Sequence, residues 1–257
     1  MDDMTTGQKP DFLIIGAQRC GTTSLFFYLL QHPELFLPVE KEIHFFDLHY
    51  GNGPCWYRNI FKSGTADAKK LKGEASPYYL FHHLVAERVA RHFPGMKLIV
   101  LLRDPVERAY SHFLHSRRIG VEHLESFEEA VAREPERVDD EKRRIMSGET
   151  ENSESYRNFS YLYRGLYYQQ ISHWMNFFPP SQIHCIKSEE LFDNPGPVYS
   201  KVCGFLEISD HKDVIFSPIN VFSYPHLSPE LKHRIRPFFL DDMSCLAHLL
   251  GDNFFWE

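Results

Sequence analysis

The chain reads as short apolar runs, each closed by a turn and followed by residues at helical spacing. Phe12 to Ile15 is the first run, ended by Gly16. A continuous apolar run of that length fits a strand buried on both faces. From Thr23 the spacing changes, so that Leu25, Tyr28 and Leu29 fall on one face of a helix that Pro33 stops. Met96 to Leu102, M-K-L-I-V-L-L, is the second buried run. It ends in Arg103-Asp104-Pro105, and Pro105 at a first helical position opens a helix over Val106 to Ser116. Ile183 to Ile186 is a third short strand. Repetition of strand, turn and helix predicts an α/β fold, with a central parallel sheet flanked by crossover helices.

The intervening stretches carry weaker patterns. From Glu42 the side chains are expected to alternate along a short extended segment, with Glu42, His44 and Phe46 on one side and Ile43 and Phe45 on the other. Residues 51–66 combine Gly, Pro and Asn with Trp56 and Tyr57 and read as a surface excursion. Lys72 to Pro77 leads into a helix from about Tyr78 to His92, stopped by Pro94-Gly95. Arg117 to Ser155 is dense in both charges, the pattern of a solvated helix face or loop, and residues 117–155 could form a mobile flap. Tyr161 to Phe178 is aromatic-rich and helical, with Tyr163, Tyr167, Gln170 and Trp174 in one stripe. Helices are expected near Val198 to Leu206 and Pro229 to Phe239, the latter capped by Ser228. Residues 1–10 form a disordered polar tail, and no linker splits residues 11–257, which read as a single domain.

The first strand-to-helix turn carries the chemistry. Gly16 and Gly21 bracket four residues at the start of a helix, where free amides and the positive end of the helix dipole converge on an anion. The spacing matches a Walker A loop, yet Gly21 is followed by Thr22, Thr23 and Ser24 rather than Lys-Ser/Thr, and the cation, Arg19, precedes the glycine. Anion binding is kept and the metal–triphosphate apparatus is lost.

Composition narrows the classes. A net charge of −7 disfavours a general binder of nucleic acid or other polyanions. The 22 Phe and 13 Tyr exceed what a core alone needs, so some rings are expected to line an apolar pocket. Five cysteines with no C-x-x-C suggest neither a disulfide framework nor a zinc cluster, and Cys185, Cys203 and Cys245 read as buried thiols. No metal spacing such as H-E-x-x-H occurs among the histidines. No signal-peptide core opens the sequence, and no apolar run approaches the ~18 residues a membrane span needs. A soluble, reducing, cytoplasmic setting is the expectation, with no membrane span.

Taken together, G-A-Q-R-C-G-T-T-S-L and L-L-R-D-P-V-E-R-A-Y-S-H-F resemble the 5′-phosphosulfate and 3′-phosphate sites of sulfotransferases that use 3′-phosphoadenosine 5′-phosphosulfate (PAPS). K-E-I-H-F-F-D, Lys41 to Asp47, resembles the catalytic segment of the heparan-sulfate-type branch, which is close to bacterial enzymes acting on carrier-bound substrates. G-E-A-S-P-Y-Y, R-G-L-Y-Y-Q and K-S-E-E-L follow in family order, and the resemblance runs from Asp11 to Glu257. It implies a P-loop-like fold of the sulfotransferase and nucleoside-kinase kind, PAPS as co-substrate and no metal. It places Arg19, Cys20, Gly21, Thr22, Thr23 and Ser24 on the phosphosulfate, and Arg103 with Ser111 on the 3′-phosphate. Where the family often carries a Lys-Gly pair late in the chain, this sequence has Asn220 to Tyr224, leaving Ser223 and Tyr224 as candidates to cover the nucleotide. Glu42 and His44 are the candidate bases, with Arg19 stabilising the leaving group and Lys41 and Asp47 orienting the pair or contacting the acceptor. The net charge and the aromatic content point to a small, lipid-like, polyketide or carrier-bound hydroxyl as acceptor. The alternatives are a metal-dependent P-loop kinase or NTPase using Asp104, and a non-catalytic nucleotide-binding module.

Overall fold

The structure is a computed structural model that describes residues 8–62, 64, 67–217, 219 and 226–256. Five parallel strands form one sheet in the order β2-β3-β1-β4-β5. They are β1 Phe12–Gly16, β2 Leu35–Phe36, β3 Leu71–Ala75, β4 Lys97–Leu102 and β5 Ile183–Lys187. β1 lies in the middle and is buried throughout, as its unbroken apolar run requires. Helices α1 Thr22–Leu30, α2 Gly53–Ile60, α3 Val85–His92 and α4 Pro105–Arg118 connect the first four strands or follow them. Then come α5 Phe127–Ala132, α6 Glu134–Met146, α7 Glu154–Phe159, α8 Tyr167–Met175, α9 Ser188–Asp193, α10 Pro195–Leu206, α11 Pro229–Ile235 and α12 Leu240–Leu250. The parallel α/β architecture expected from the sequence is the one observed.

Several local expectations are corrected. Lys72 to Ala75 is a strand, β3, paired on both sides. Its Lys, Gly and Glu are poor strand formers, and partners rather than propensity put them there. Gly73 faces Phe12 across the β1–β3 pairing, where an added Cβ would lie 2.2 Å from the Phe12 ring. The helix expected from Tyr78 begins only at Val85. Before it the chain turns against the sheet, with the Leu80 amide donating to the Ile15 carbonyl at 2.8 Å. Residues 51–66 are not merely a surface excursion: α2 buries Tyr57 completely, stacked 4.4 Å from Phe45. The aromatic stretch after Tyr161 starts as a 3-10 turn over Tyr163–Gly165 and becomes α8 only at Tyr167. Cys203 is buried as expected, but Cys185 is partly exposed and Cys245 exposed.

The charged stretch after Arg117 builds α5 and α6. It buries Glu134, whose carboxylate accepts the amides of Leu162 at 2.7 Å and Tyr163 at 2.9 Å. Helix starts are fixed where the sequence placed polar caps: Ser228 accepts from the Leu231 amide, and Asp104 accepts from Val106 and Glu107. Asp242 on α12 does the same from outside, accepting the Tyr168 and Gln169 amides at the start of α8.

Gly73→Ala is expected to lower the unfolding free energy by about 1–3 kcal/mol, because Phe12 has no free volume into which to move. Urea unfolding should show a lower midpoint at unchanged slope.

Candidate functional site

The carboxyl ends of β1, β3, β4 and β5 lie along one edge of the sheet, where ligands of open α/β folds bind. After β1 the chain passes through Arg19, at φ 70°, and Gly21, at φ 86°, before entering α1. Gly21 is required twice over. Its φ is left-handed, and a Cβ there would lie 2.7 Å from Phe192. No side chain caps α1, so the first-turn amides point out of the helix without a partner from a cap. Of the amides expected to bind an anion, that of Cys20 is used internally, donating to Ala17 O at 3.2 Å. The Cys20 thiol is fully buried, and burial raises its pKa above the ordinary value.

Side chains from the end of β5, the 3-10 turn, α8 and α4 hold this loop. Ser188, at the end of β5, donates to the Cys20 carbonyl at 2.8 Å. Tyr167 donates to the Arg103 carbonyl at 2.9 Å and lies 3.8 Å from the Cys20 sulfur. Arg164 donates to the Gln18 side chain. Arg19 Nε donates to Ser111 Oγ at 3.1 Å, so the glycine loop and α4 meet directly. Arg103 leaves β4 with its guanidinium 6.0 Å from the Phe192 ring and 4.0 Å from Glu107.

Cations lie behind the loop. Arg108 and Arg164 are buried, and burial lowers the pKa of both, that of Arg164 to about 10. Arg108 Nε and Nη1 and Arg164 Nε have no hydrogen-bond partner among the described residues. Arg108 lies close enough to act on the Cys20 thiol and Arg164 bonds Gln18, so the loop has a positive backing that fits a bound phosphate or sulfate group.

Asp104 is already occupied. It caps α4 and pairs with Arg236 at 2.7 Å and Lys232 at 3.1 Å. Glu189 accepts both the Asp104 amide, at 3.0 Å, and the Trp256 indole, at 3.1 Å. The carboxylate named for the kinase-like alternative is thus engaged in a helix cap and two ion pairs.

In the Glu42–Asp47 segment the charge reverses. Glu42 and His44 do come together, but not by strand alternation: both have left-handed backbones, φ 64° and 53°. The segment is a tight double turn that buries Phe45 and Phe46. His44 Nδ1 lies 2.7 Å from Asp47 and its Nε2 3.5 Å from Glu42, while Lys41 Nζ is 2.6 Å from Glu42. Burial would push His44 down, but hydrogen bonds to Asp47 and Glu42 outweigh it and raise the imidazole to about 9. Burial would push Glu42 up, but His44 and Lys41 bring it down to about 2. The pair is therefore an imidazolium beside a carboxylate at neutral pH. Glu42 keeps 46% of its side chain exposed and is the more reachable partner.

A model of the sulfotransferase domain matches residues 9–230. The chain belongs to the sulfotransferase family. It is 28% identical to a membrane-associated sulfotransferase of Dictyostelium discoideum, over 96% of this chain and 66% of that protein. It is 30% identical to bifunctional heparan sulfate N-deacetylase/N-sulfotransferase 3 of Homo sapiens, over 81% of this chain and 23% of that protein. The chain thus spans at most about two thirds of these relatives' length. Among solved structures, a sulfotransferase from Alicyclobacillus acidocaldarius superposes with a TM-score of 0.77 at 29% identity, covering 94% of this chain and 96% of that one. The fold is thereby the P-loop-like fold of this family.

Ser223 and Tyr224 lie outside the described residues. Sequence reasoning gave no role to Tyr167, Ser188 or Phe192. The pieces R-G-L-Y-Y-Q and K-S-E-E-L-F carry them, and their order along the chain was the available signal. His115, also missed, sits one turn beyond Ser111 and senses both Arg19 and Glu42.

The raised His44 pKa has a consequence for stability. Protonation of His44 stabilises the fold fully below about pH 6.5, and this contribution is lost as pH rises through about 9. The stability gap between the wild type and His44→Ala should therefore narrow over that window. Thermal or denaturant unfolding as a function of pH reads it directly.

Proposed function

We propose that this sulfotransferase moves a sulfuryl group from PAPS to an acceptor hydroxyl by in-line displacement. The observation that carries the reading is the meeting of two opposite fields at α4. Arg19 is bonded to Ser111, and His115, one turn on, is pushed down by Arg19 and up by Glu42 (burial being its largest influence). A leaving phosphate and an acceptor proton can be served from one short stretch of helix.

In this reading Arg19 and the amides from Gly21 to Ser24 hold the 5′-phosphosulfate. Arg103 and Ser111 hold the 3′-phosphate, the Ser111 hydroxyl accepting from Arg19 and keeping its own proton to donate. The acceptor oxygen bonds to sulfur, the bridging sulfur–oxygen bond breaks, and 3′-phosphoadenosine 5′-phosphate leaves. Arg19 cannot readily give up a proton, so it stabilises the leaving oxygen as a fixed charge. Glu42 takes the acceptor proton. His44, kept protonated and anchored by Asp47, orients that carboxylate. The Arg19 charge and the helix-start amides supply the stabilisation that a metal gives in kinases, so the scheme uses none.

For the acceptor, the reading is a small, lipid-like, polyketide or carrier-bound hydroxyl. The net charge of −7 and two exposed apolar side chains, Val39 before Glu42 and Trp56 packed on Phe45, support it. A sugar polymer is the second reading, favoured by the relatives named for heparan sulfate. The five unpaired cysteines support a reducing, cytoplasmic setting.

Calorimetric titration with 3′-phosphoadenosine 5′-phosphate should show binding in the presence of a chelator, and Arg103→Ala should weaken it by about 10–100-fold. No binding, or binding only with magnesium, would reject the proposal. With a hydroxyacyl carrier and an oligosaccharide as parallel acceptors, sulfate transfer to the sugar alone would select the second reading. With either acceptor, Glu42→Gln should lower kcat by about 10²–10⁴-fold and leave nucleotide affinity within a few-fold. The rate should hold level at neutral pH and fall as His44 deprotonates near pH 9; a rise toward that pH would make His44 the base.

A further inference from the structure

Glu74 is an ionisable residue in the middle of the sheet. It lies on β3 opposite Leu13 of β1 and is 1% exposed. Three hydroxyls converge on its carboxylate. Ser76 donates to Oε2 at 2.7 Å and Tyr57 donates to Oε1 at 3.1 Å, and the nearby Tyr79 hydroxyl helps to hold the carboxyl down. Burial pushes the Glu74 carboxyl up, the hydroxyls offset part of that, and the Asp47 charge adds to it, leaving it at about 7. A carboxyl kept in such a place does not serve stability cheaply, since an apolar residue would avoid the desolvation cost.

Two of those hydroxyls reach the double turn. Ser76 Oγ accepts the His44 amide at 3.1 Å, and the Tyr79 hydroxyl accepts the Phe45 amide at 2.8 Å. The Ala75 carbonyl accepts the Glu42 amide at 3.0 Å. Left-handed backbone at a non-glycine residue costs on the order of 1–3 kcal/mol and persists only where neighbours over-determine it. At Glu42 and His44 the neighbours that do so are the end of β3 and the two hydroxyls.

The direction of each hydrogen bond matters. A hydroxyl has one proton. By spending it on Glu74, Ser76 presents only lone pairs to the backbone, which is what the His44 amide needs, and Tyr79, beside the same carboxyl, presents its oxygen to the Phe45 amide. Once ionised, above about pH 7, the carboxylate accepts from every side and so keeps hydroxyl protons turned away from the backbone. A glutamine in its place would turn N–H groups toward one of them and drive that proton back at an amide.

We infer that Glu74 is a positioning residue that acts through Ser76 and Tyr79 to lock the turn holding His44 between Glu42 and Asp47. The assignment rests on the reading of Glu42 and His44 as the proton-handling pair, but its test does not need turnover. In the free protein labelled with isotopic histidine, the His44 ring resonance, assigned by its loss in His44→Ala, is followed against pH. Wild-type His44 should titrate near about 9. In Glu74→Gln and in Ser76→Ala its midpoint should fall by about one pH unit or more, toward the ordinary imidazole value. The shift of His44 alone, with the other histidine resonances unmoved, separates positioning from a general loss of structure. If Glu74→Gln fails to fold, Ser76→Ala and Tyr79→Phe carry the same test. An unchanged His44 midpoint in the folded variants overturns the inference. Full kcat in His44→Ala would sink the catalytic reading while leaving the positioning result to stand or fall by itself.

Discussion

The Tyr167 hydroxyl donates to the Arg103 carbonyl and lies beside the Cys20 thiol, and this contact ties together the two loops that the rest of the site depends on. One loop follows β1 and carries the bare start of α1; the other follows β4 and carries Arg103. Strands set their neighbourhood, but backbone pairing between β1 and β4 ends with the Ala17 amide on the Leu101 carbonyl at 2.8 Å. Beyond that point a phenol supplies the register that the sheet no longer can. Ser188 repeats the device from β5, through the Cys20 carbonyl. Three strand ends are thus held by side-chain donors on backbone acceptors, a geometry that fixes the loops while leaving the α1 amides outward.

Charge is divided within the site in a way that suits group transfer. Arg19 lies in the loop and Arg103 at the end of β4, with Arg108 and Arg164 buried behind. Glu42, Asp47 and Glu74 gather on the other side, two of them buried. Each half is unfavourable in isolation. The cationic half is relieved by an anion, the acidic half by His44 and by hydroxyl donors. A site of this kind is preorganised: its dipoles are in place before the reacting groups arrive.

Much of this was legible in the residues. The apolar runs at Phe12, Met96 and Ile183 gave three of the strands, because strands buried on both faces need no partner information to be seen. β3 was hidden because Lys72, Gly73 and Glu74 satisfy constraints from Phe12 and from the Glu42–His44 turn, not from their own propensities. Arg19, Arg103, Ser111, Glu42 and His44 could be named as candidates from motif order. Their relation could not: alternation suggested an extended segment, and two left-handed residues brought the same pair together by another route. Tyr167 and Ser188 act through hydroxyls on distant carbonyls, a relation with no local sequence signature.

Trp256 bonds Glu189 and offers its carbonyl to Arg236, which in turn holds Asp104 at the head of α4. Residues from the far end of this sequence thereby brace an edge laid down near its beginning. On a ribosome the glycine loop would emerge long before the residues that complete its surroundings. Contacts of such long sequence separation form late and slowly. A ligand that bound only the finished edge would in turn stabilise the docked segment.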